Sequence, residues 1–251
     1  MDNYEYCVQF VVEIQKGAER NISVLDYGCG QGQIVARLRE LKVEAFGCDV
    51  FYKGGDASQS VPSEMLGNVI RHIDRGTIPF PSESFDVVIN NQVMEHVEDL
   101  DQVLREIHRV LRPGGKVLSL FPHRSVWREG HCGIPFLHWF PKGSRPRVYY
   151  AMSLRAMGLG YFKAGKGIHQ WSADFCDWLD KWTWYRGYKE IRSAFQKYFI
   201  ETQHIEDHWL EQRLQDRAFV VMWLPRSAKQ IFVRTMAGLV FICSKPEVSA
   251  Q

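Results

Sequence analysis

The chain has no apolar stretch near the roughly 18 residues a membrane-crossing helix needs. The longest apolar block towards its C-terminus, AFVVMWLP at 218–225, is too short. The opening MDNYEYCVQF carries acids early and no basic segment ahead of an apolar core, so no secretory leader is expected, and the cytoplasm is the expected location. There is no Cys-x-x-Cys pair: Cys7, Cys29, Cys48, Cys132, Cys176 and Cys243 are scattered, and free thiols are expected. An excess of charge is also missing. Thirty-one Lys and Arg against 29 Asp and Glu leave a net charge of +2, which gives no reason to expect a nucleic-acid partner. Internal repeats and low-complexity tracts are absent. What remains is a 251-residue chain, 45% hydrophobic and 24% charged, the size of one α/β domain or one domain with an insertion.

Strand-like and helix-like patterns alternate from residue 23 to 121. SVLDYG reads as a buried strand ending at Asp26, and QIVARLREL places Ile34, Val35, Leu38 and Leu41 on one helical face. VEAFGCDV is a second strand ending at Asp49, and SFDVVINNQ is another, ending in Asn90, Asn91 and Gln92. LDQVLREIHRVL is an amphipathic helix stopped by the turn Pro113-Gly114-Gly115, and KVLSLF is the next strand. This order predicts a doubly wound, mostly parallel α/β sheet. The alternation lapses over 123–197, which holds six of the eight tryptophans and reads as a cap inserted into a core of 1–122 and 198–251. Within it, Ser172 is the expected N-cap of a helix broken near Gly187. Beyond it come a strand near FIETQHI, helices on either side of Pro225, and a last strand, GLVFICSK.

The loop after the first strand runs Asp26-x-Gly28-x-Gly30-x-Gly32. A dinucleotide fingerprint starting at Gly28 would need glycine where Gln33 stands, and the phosphate-loop pattern is absent here too. Alternate glycines let backbone approach a ligand closely. An acid at the strand end suits a cationic ammonium, and Asp49 at the end of the second strand suits ribose hydroxyls. A ligand with an ammonium, a ribose and no phosphate is S-adenosylmethionine. GYFKAGKG at 160–167 is a near-miss phosphate loop without its final Ser or Thr and reads as a plain loop.

Further pieces agree in order: Asp74, Ile78-Pro79-Phe80, Ser84-Phe85-Asp86, Glu95-His96 and Arg109 to Gly115. With Asp26 to Gly32 and Asp49, residues 22–121 resemble the class I S-adenosylmethionine-dependent methyltransferases of the widespread type 11 family. The resemblance implies a seven-stranded Rossmann-like sheet and S-adenosyl-L-methionine as cofactor. It implies that Gly28 and Gly30 pass close to the methionine part, and that Asp26 approaches the ammonium. Asp49, followed by Val50, would take the ribose. Asp74 and the backbone of Arg75 would meet the adenine, and Asn91 would border the methyl group. Arg75 stands where the family usually has alanine. His96 is expected to pack or cap, Arg109 to form a surface ion pair, and Asp86 to fix a turn before its strand.

The cap is where an acceptor and a general base are expected. His131, His138 and His123 are the candidate bases, in that order. Between His123 and Gln170 there are eight basic residues and one acid, Glu129. That bias points to an anionic acceptor, small or glycan-linked and methylated on oxygen. Contact of the basic, aromatic cap with an anionic membrane surface is a competing reading. Methylation on nitrogen or carbon, and cofactor binding without transfer, are the alternatives. The histidine spacing fits no common structural zinc site, so no metal is expected. Trp127 and Trp139 are the candidate substrate platforms among the tryptophans.

Overall fold

The computed structural model describes residues 1–52, 57–163 and 165–247. Its centre is a seven-stranded sheet of β1 (Ser23–Tyr27), β2 (Glu44–Asp49), β3 (Ile70–His72), β4 (Phe85–Asn91), β5 (Leu111–Phe121), β6 (Ile200–His204) and β7 (Leu239–Ser244). The strand order is β3-β2-β1-β4-β5-β7-β6. The pairings among β1 to β5 are parallel, and β7 runs antiparallel to both β5 and β6. The chain order reverses between β1 and β4, so a crevice opens beyond their C-terminal ends, where sheets of this kind bind ligands.

Because strand side chains alternate in direction, β1 sends Val24 to one face and Leu25 to the other, and β4 divides Val87 and Ile89 from Val88 in the same way. Both faces are covered, which is why these strands read as continuous apolar runs. On one face lie α1 (Asn3–Gly17), α2 (Gln33–Glu40), α7 (Glu206–Leu214) and α8 (Arg226–Met236); on the other lie α3 (Leu100–Val110) and α6 (Tyr188–Gln196). The α3 stripe is buried as its spacing requires, from Leu100 to Val110, and Asp99 caps it by accepting from the Gln102 N–H at 2.9 Å. Ile191 and Phe195 of α6 join the same cluster as α3. The cap proper has its own small core, in which Cys132, Ile134 and Leu137 pack with Ala151 of α4 (Arg145–Ala156) and with Trp171, Cys176 and Leu179 of α5 (Ile168–Trp182). All six cysteines are free and buried. Among the described residues no helix is long and apolar enough to cross a membrane.

Several local expectations change. The three-residue β3 carries no apolar run and gives no strand signal in the sequence. Leu41 caps α2 and is exposed, so it is not on the buried face. Ser172 is not an N-cap: α5 starts at Ile168 behind Gly167, because the loop before it can extend the helix by a turn, and Ser172 lies fully buried inside it. The break near Gly187 is present, between α5 and α6. Pro113 to Gly115 sits inside β5 as an irregularity, where the register against β4 slips between the Phe85–Leu111 and Val87–Lys116 pairs. Asp86 lies within β4, where it accepts from the Ser23 N–H and pairs with both Arg20 and Arg112. Of the 160–167 loop, Ala164 lies outside the described residues, and the rest carries no helix or strand.

Candidate functional site

The glycine loop leaves β1 and is tied at once to the end of β2, the Gly28 N–H donating to the Cys48 carbonyl at 2.7 Å. Gly28 has φ of +74°, and a Cβ there would run into the Val93 side chain. Gly30 has φ of +52° and open space around it; its N–H donates to Asp49 Oδ2 at 2.8 Å. The other Asp49 oxygen accepts from the Phe51 N–H at 2.8 Å. The half-buried Asp49 carboxylate therefore fixes the glycine loop and its own following turn, and still faces the crevice.

Two recesses meet there. The larger, about 350 Å³, is lined by Gly28, Asp49 and Val50, by Ile73 and Gly76, by Gln92, Val93, His96 and Val97, and by Tyr52, Trp182 and Trp184. The smaller, about 170 Å³, is lined by Tyr4, Asp26, Cys29, Gly30 and Asn91. Gly28 and Gln92 belong to both. Gln92 follows β4 with φ of +58°, one of three non-glycine residues in the left-handed region around the crevice among the described residues, with Phe51 and Arg75. Asp26 is buried, and no hydrogen bond to its carboxyl is found among the described residues. Burial first, and the Asp49 charge second, push its pKa up to about 8. Asp74 and Arg75 are exposed and line neither recess, although their neighbours Ile73 and Gly76 do. The Arg75 carbonyl accepts from the Gln102 side chain at 3.2 Å. Asn91 accepts from Asn3 at 3.4 Å, which brings the start of α1 over the smaller recess.

The cap contributes a strap, residues 182–186, bound to the short turn Met94–His96 and the residues after it. The Trp184 N–H donates to the Glu95 carbonyl at 2.6 Å, and the Arg186 guanidinium donates to the carbonyls of Val97 at 2.7 Å and Glu98 at 2.5 Å. His96 Nδ1 donates to the Trp182 carbonyl at 2.7 Å, so its Nε2 carries the lone pair. That Nε2 meets His131 Nε2 at 3.2 Å, and His131 Nδ1 meets Glu129 Oε1 at 2.7 Å. Two ring nitrogens can bond to each other only across a proton, so His131 donates from both nitrogens, as an imidazolium between Glu129 and His96. Burial works against the Glu129 charge, but His131, the Cys132 N–H and Tyr185 outweigh it and hold its pKa down to about 2. Burial alone would lower His131, and Glu129 more than offsets this, holding it above its ordinary value. Burial keeps His96 neutral, down to about 4, and lifts the adjacent Glu95 to about 7.

His131 thus reaches the larger recess through His96, which lines it directly. His138 and His123 line neither recess. His138 is buried against Tyr185, with its Nε2 on the Arg124 carbonyl, and burial lowers its pKa. His123 is buried near Arg234, its pKa pushed down to about 4 by burial and then by that charge. Trp127 and Trp139 line neither recess; Trp182 and Trp184 supply the aromatic wall instead. None of the eight basic cap residues lines the crevice either. Arg147 pairs with Asp180 and Lys166 with Asp174, Lys142 lies over Trp184, and Arg128 and Arg155 lie over Tyr161 and Trp171. Donor atoms of Glu95, His96 and His131 fall within 4.8 Å of one another, a cluster invisible to histidine spacing because two of its members precede the cap. As they stand, the two ring nitrogens are occupied with each other.

Tyr52, Gln92, Glu129, Trp182 and Trp184 escape the sequence reading as site residues. Glu129 carried the one available signal, as the lone acid two residues before a histidine in a basic stretch.

The model of the methyltransferase domain family matches residues 25–119. A probable S-adenosylmethionine-dependent methyltransferase of Mycolicibacterium smegmatis is 35% identical over 108 residues, 43% of this chain and 40% of that protein. A ubiquinone biosynthesis O-methyltransferase of Ruegeria pomeroyi is 36% identical over 136 residues, 51% of this chain and 54% of that one. The chain spans about half the length, or less, of these curated relatives. A solved S-adenosylmethionine-dependent methyltransferase from Mesorhizobium loti shares the fold, with a TM-score of 0.52 at 14% identity, covering 97% of this chain and 100% of that one. Residues 25–119 therefore match a methyltransferase domain and are similar to that of an S-adenosylmethionine-dependent methyltransferase.

The recesses fit that donor on their own terms: a buried carboxyl open to an ammonium, a half-buried carboxylate at a strand end, and an apolar slot between Val50, Ile73 and Val97. Gly28→Ala is expected to lower donor affinity at least about tenfold, because the new methyl must displace Val93 and hold a backbone angle that costs an L-residue about 1–2 kcal/mol. Calorimetric titration checks it. Wild-type affinity would mean that the loop does not touch the donor.

Proposed function

We propose that this chain transfers the methyl group of S-adenosylmethionine to a hydroxyl of a small, flat acceptor. The observation that carries the reading is the hydrogen-bonded chain Glu129–His131–His96 ending in the wall of the donor crevice. When bound, the donor supplies an electrophilic methyl on a sulfonium whose charge is lost on transfer. The protein's part is to bind, align and exclude water. Asp49 takes the ribose hydroxyls, with Val50 beside the nucleoside. The exposed Asp74 and the Arg75 backbone reach the adenine edge from the rim. Gly28, Gly30 and Asn91 flank the methionine side, and Asp26 receives the ammonium. Tyr52, Trp182 and Trp184 give the acceptor side flat apolar walls, which suit an unsaturated or aromatic ring. An anionic acceptor draws little support from the basic cap, since Arg128, Arg147, Arg155 and Lys166 are paired or stacked away from the crevice and only Lys142, over Trp184, adjoins its wall. Oxygen as the methylated atom is favoured by a base with an orienting carboxylate, and agrees with the name of the Ruegeria relative. Once His131 has lost its Nε2 proton, the acceptor proton arrives at His96 Nε2 in the recess wall and passes to His131 Nε2, while Glu129 stabilises the imidazolium that forms.

Donor binding is expected to release a proton. At pH 7 the empty protein holds Asp26 protonated, its pKa being about 8. An ammonium beside it favours the charged form, so the proton leaves on binding. Affinity should therefore rise with pH from about 5 towards 8, above which the donor's own α-amino group begins to lose its charge. Calorimetry in two buffers of different ionisation enthalpy measures the release, and Asp26→Asn should abolish it. A buffer-independent heat would remove Asp26 from the ammonium site. The acceptor class is tested with radiolabelled donor against fractions of cell extract. Label recovered as base-stable methyl ethers on small molecules supports the reading, and label only on amines overturns it.

A further inference from the structure

The acceptor chemistry leaves the apolar block at 218–225 without a role, and the structure shows it in solvent. Phe219, Val220, Met222 and Trp223, together with Ile231 and Phe232 of α8, are 51% to 75% exposed. The helix is inverted relative to an ordinary surface helix. Its inner face buries Lys229, paired with Glu211, beside Val233, while Ile231 and Phe232 point outward. Charge in this part of the chain has one sign. From Arg217 to Pro246 there is no acid, and there are five cations, with Arg217 and Arg226 bracketing the apolar block. The Trp127 N–H donates to the Thr235 carbonyl at 3.1 Å, so the face continues towards the half-exposed Phe136 and Trp139. Large apolar side chains that include tryptophan, with Arg217 and Arg226 at their rim, match the interfacial region of an anionic bilayer, although Arg226 also holds Asp207 at 3.0 Å. A second copy of the chain would bring the same cations against each other.

We propose that this face, residues 217–236, docks the protein on an anionic lipid bilayer. The basic cap offers a weaker membrane contact, because five of its eight cations are paired or stacked within the cap. The test is co-sedimentation of the full chain with vesicles of phosphatidylcholine alone and of phosphatidylcholine with equal phosphatidylglycerol, with sedimentation velocity on the free protein. Binding should favour the anionic vesicles and weaken as salt rises. It should fall at least about tenfold in Phe219→Ser/Trp223→Ser. Arg217→Glu/Arg226→Glu should abolish the preference for anionic lipid. Phe219, Trp223 and Arg217 are exposed, while Arg226 also pairs with Asp207, so Arg217→Glu alone, which should weaken that preference, is measured beside the double variant and an unchanged melting temperature serves as the folding control. Failure to bind either vesicle would overturn the proposal. So would undiminished binding by the double serine variant, or a dimer that this variant dissociates while vesicles go unbound.

Discussion

In His131→Ala, methyl transfer is expected to slow by ~10²- to 10⁴-fold, the range of a positioned general base, with donor affinity unchanged. The ring is held from both sides, by Glu129 at 2.7 Å and by His96 at 3.2 Å. Its removal also strands Glu129, whose carboxylate is fully buried and would keep only the Cys132 N–H and Tyr185. The pH profile separates a chemical role from a structural one. A base must be unprotonated, and Glu129 keeps the His131 pKa above its ordinary value, so kcat/KM should rise as pH rises through that raised value. In Glu129→Gln the charge that raises it is gone, and the rising limb should shift to lower pH. The same pairing stabilises the fold at pH above the ordinary glutamate range, and that contribution is lost as pH falls towards about 2. Turnover at the wild-type rate in His131→Ala would refute the assignment.

Asp49→Ala is expected to weaken donor binding at least about tenfold, since hydrogen bonds to a charged group contribute roughly 1.5–3 kcal/mol. Two losses combine. The proposed ribose contact loses its acceptor, and the Gly30 and Phe51 N–H groups, each 2.8 Å from the carboxylate, lose the partner that shapes the loop. Asp49→Asn distinguishes them. Its amide can accept one of the two backbone N–H groups and must turn its NH₂ towards the other, so it repairs the loop only in part. Affinity between those of wild type and Asp49→Ala is the expected result of titration. Unchanged affinity in Asp49→Ala would exclude Asp49 from the site.

The fold was legible where periodicity and turn chemistry are strong. Val24 to Asp26, Phe46 to Asp49 and Val87 to Asn91 announce strands that end in polar residues, and Asp99 with the Leu100–Val110 stripe announces α3. The glycine loop and Asp49 are legible for a local reason: they are adjacent to strand ends, and strand ends meet in the crevice. The cap side is not local. His96 and His131 are 35 residues apart, and Glu129 and Tyr185 are 56 apart, so no spacing rule joins them. The charge bias of the cap overstates its free charge, because Asp174 and Asp180, which pair with Lys166 and Arg147, lie on α5 just beyond the basic stretch. Ring platforms misled similarly: Trp127 and Trp139 adjoin the histidines in sequence, while Trp182 and Trp184 reach the crevice by way of the strap.

Calorimetric titration of the chain with S-adenosylmethionine, with NAD as the control, tests the central claim most directly. The account predicts saturable binding of S-adenosylmethionine at one site per chain and no heat from NAD. Binding of NAD with no response to S-adenosylmethionine would contradict it.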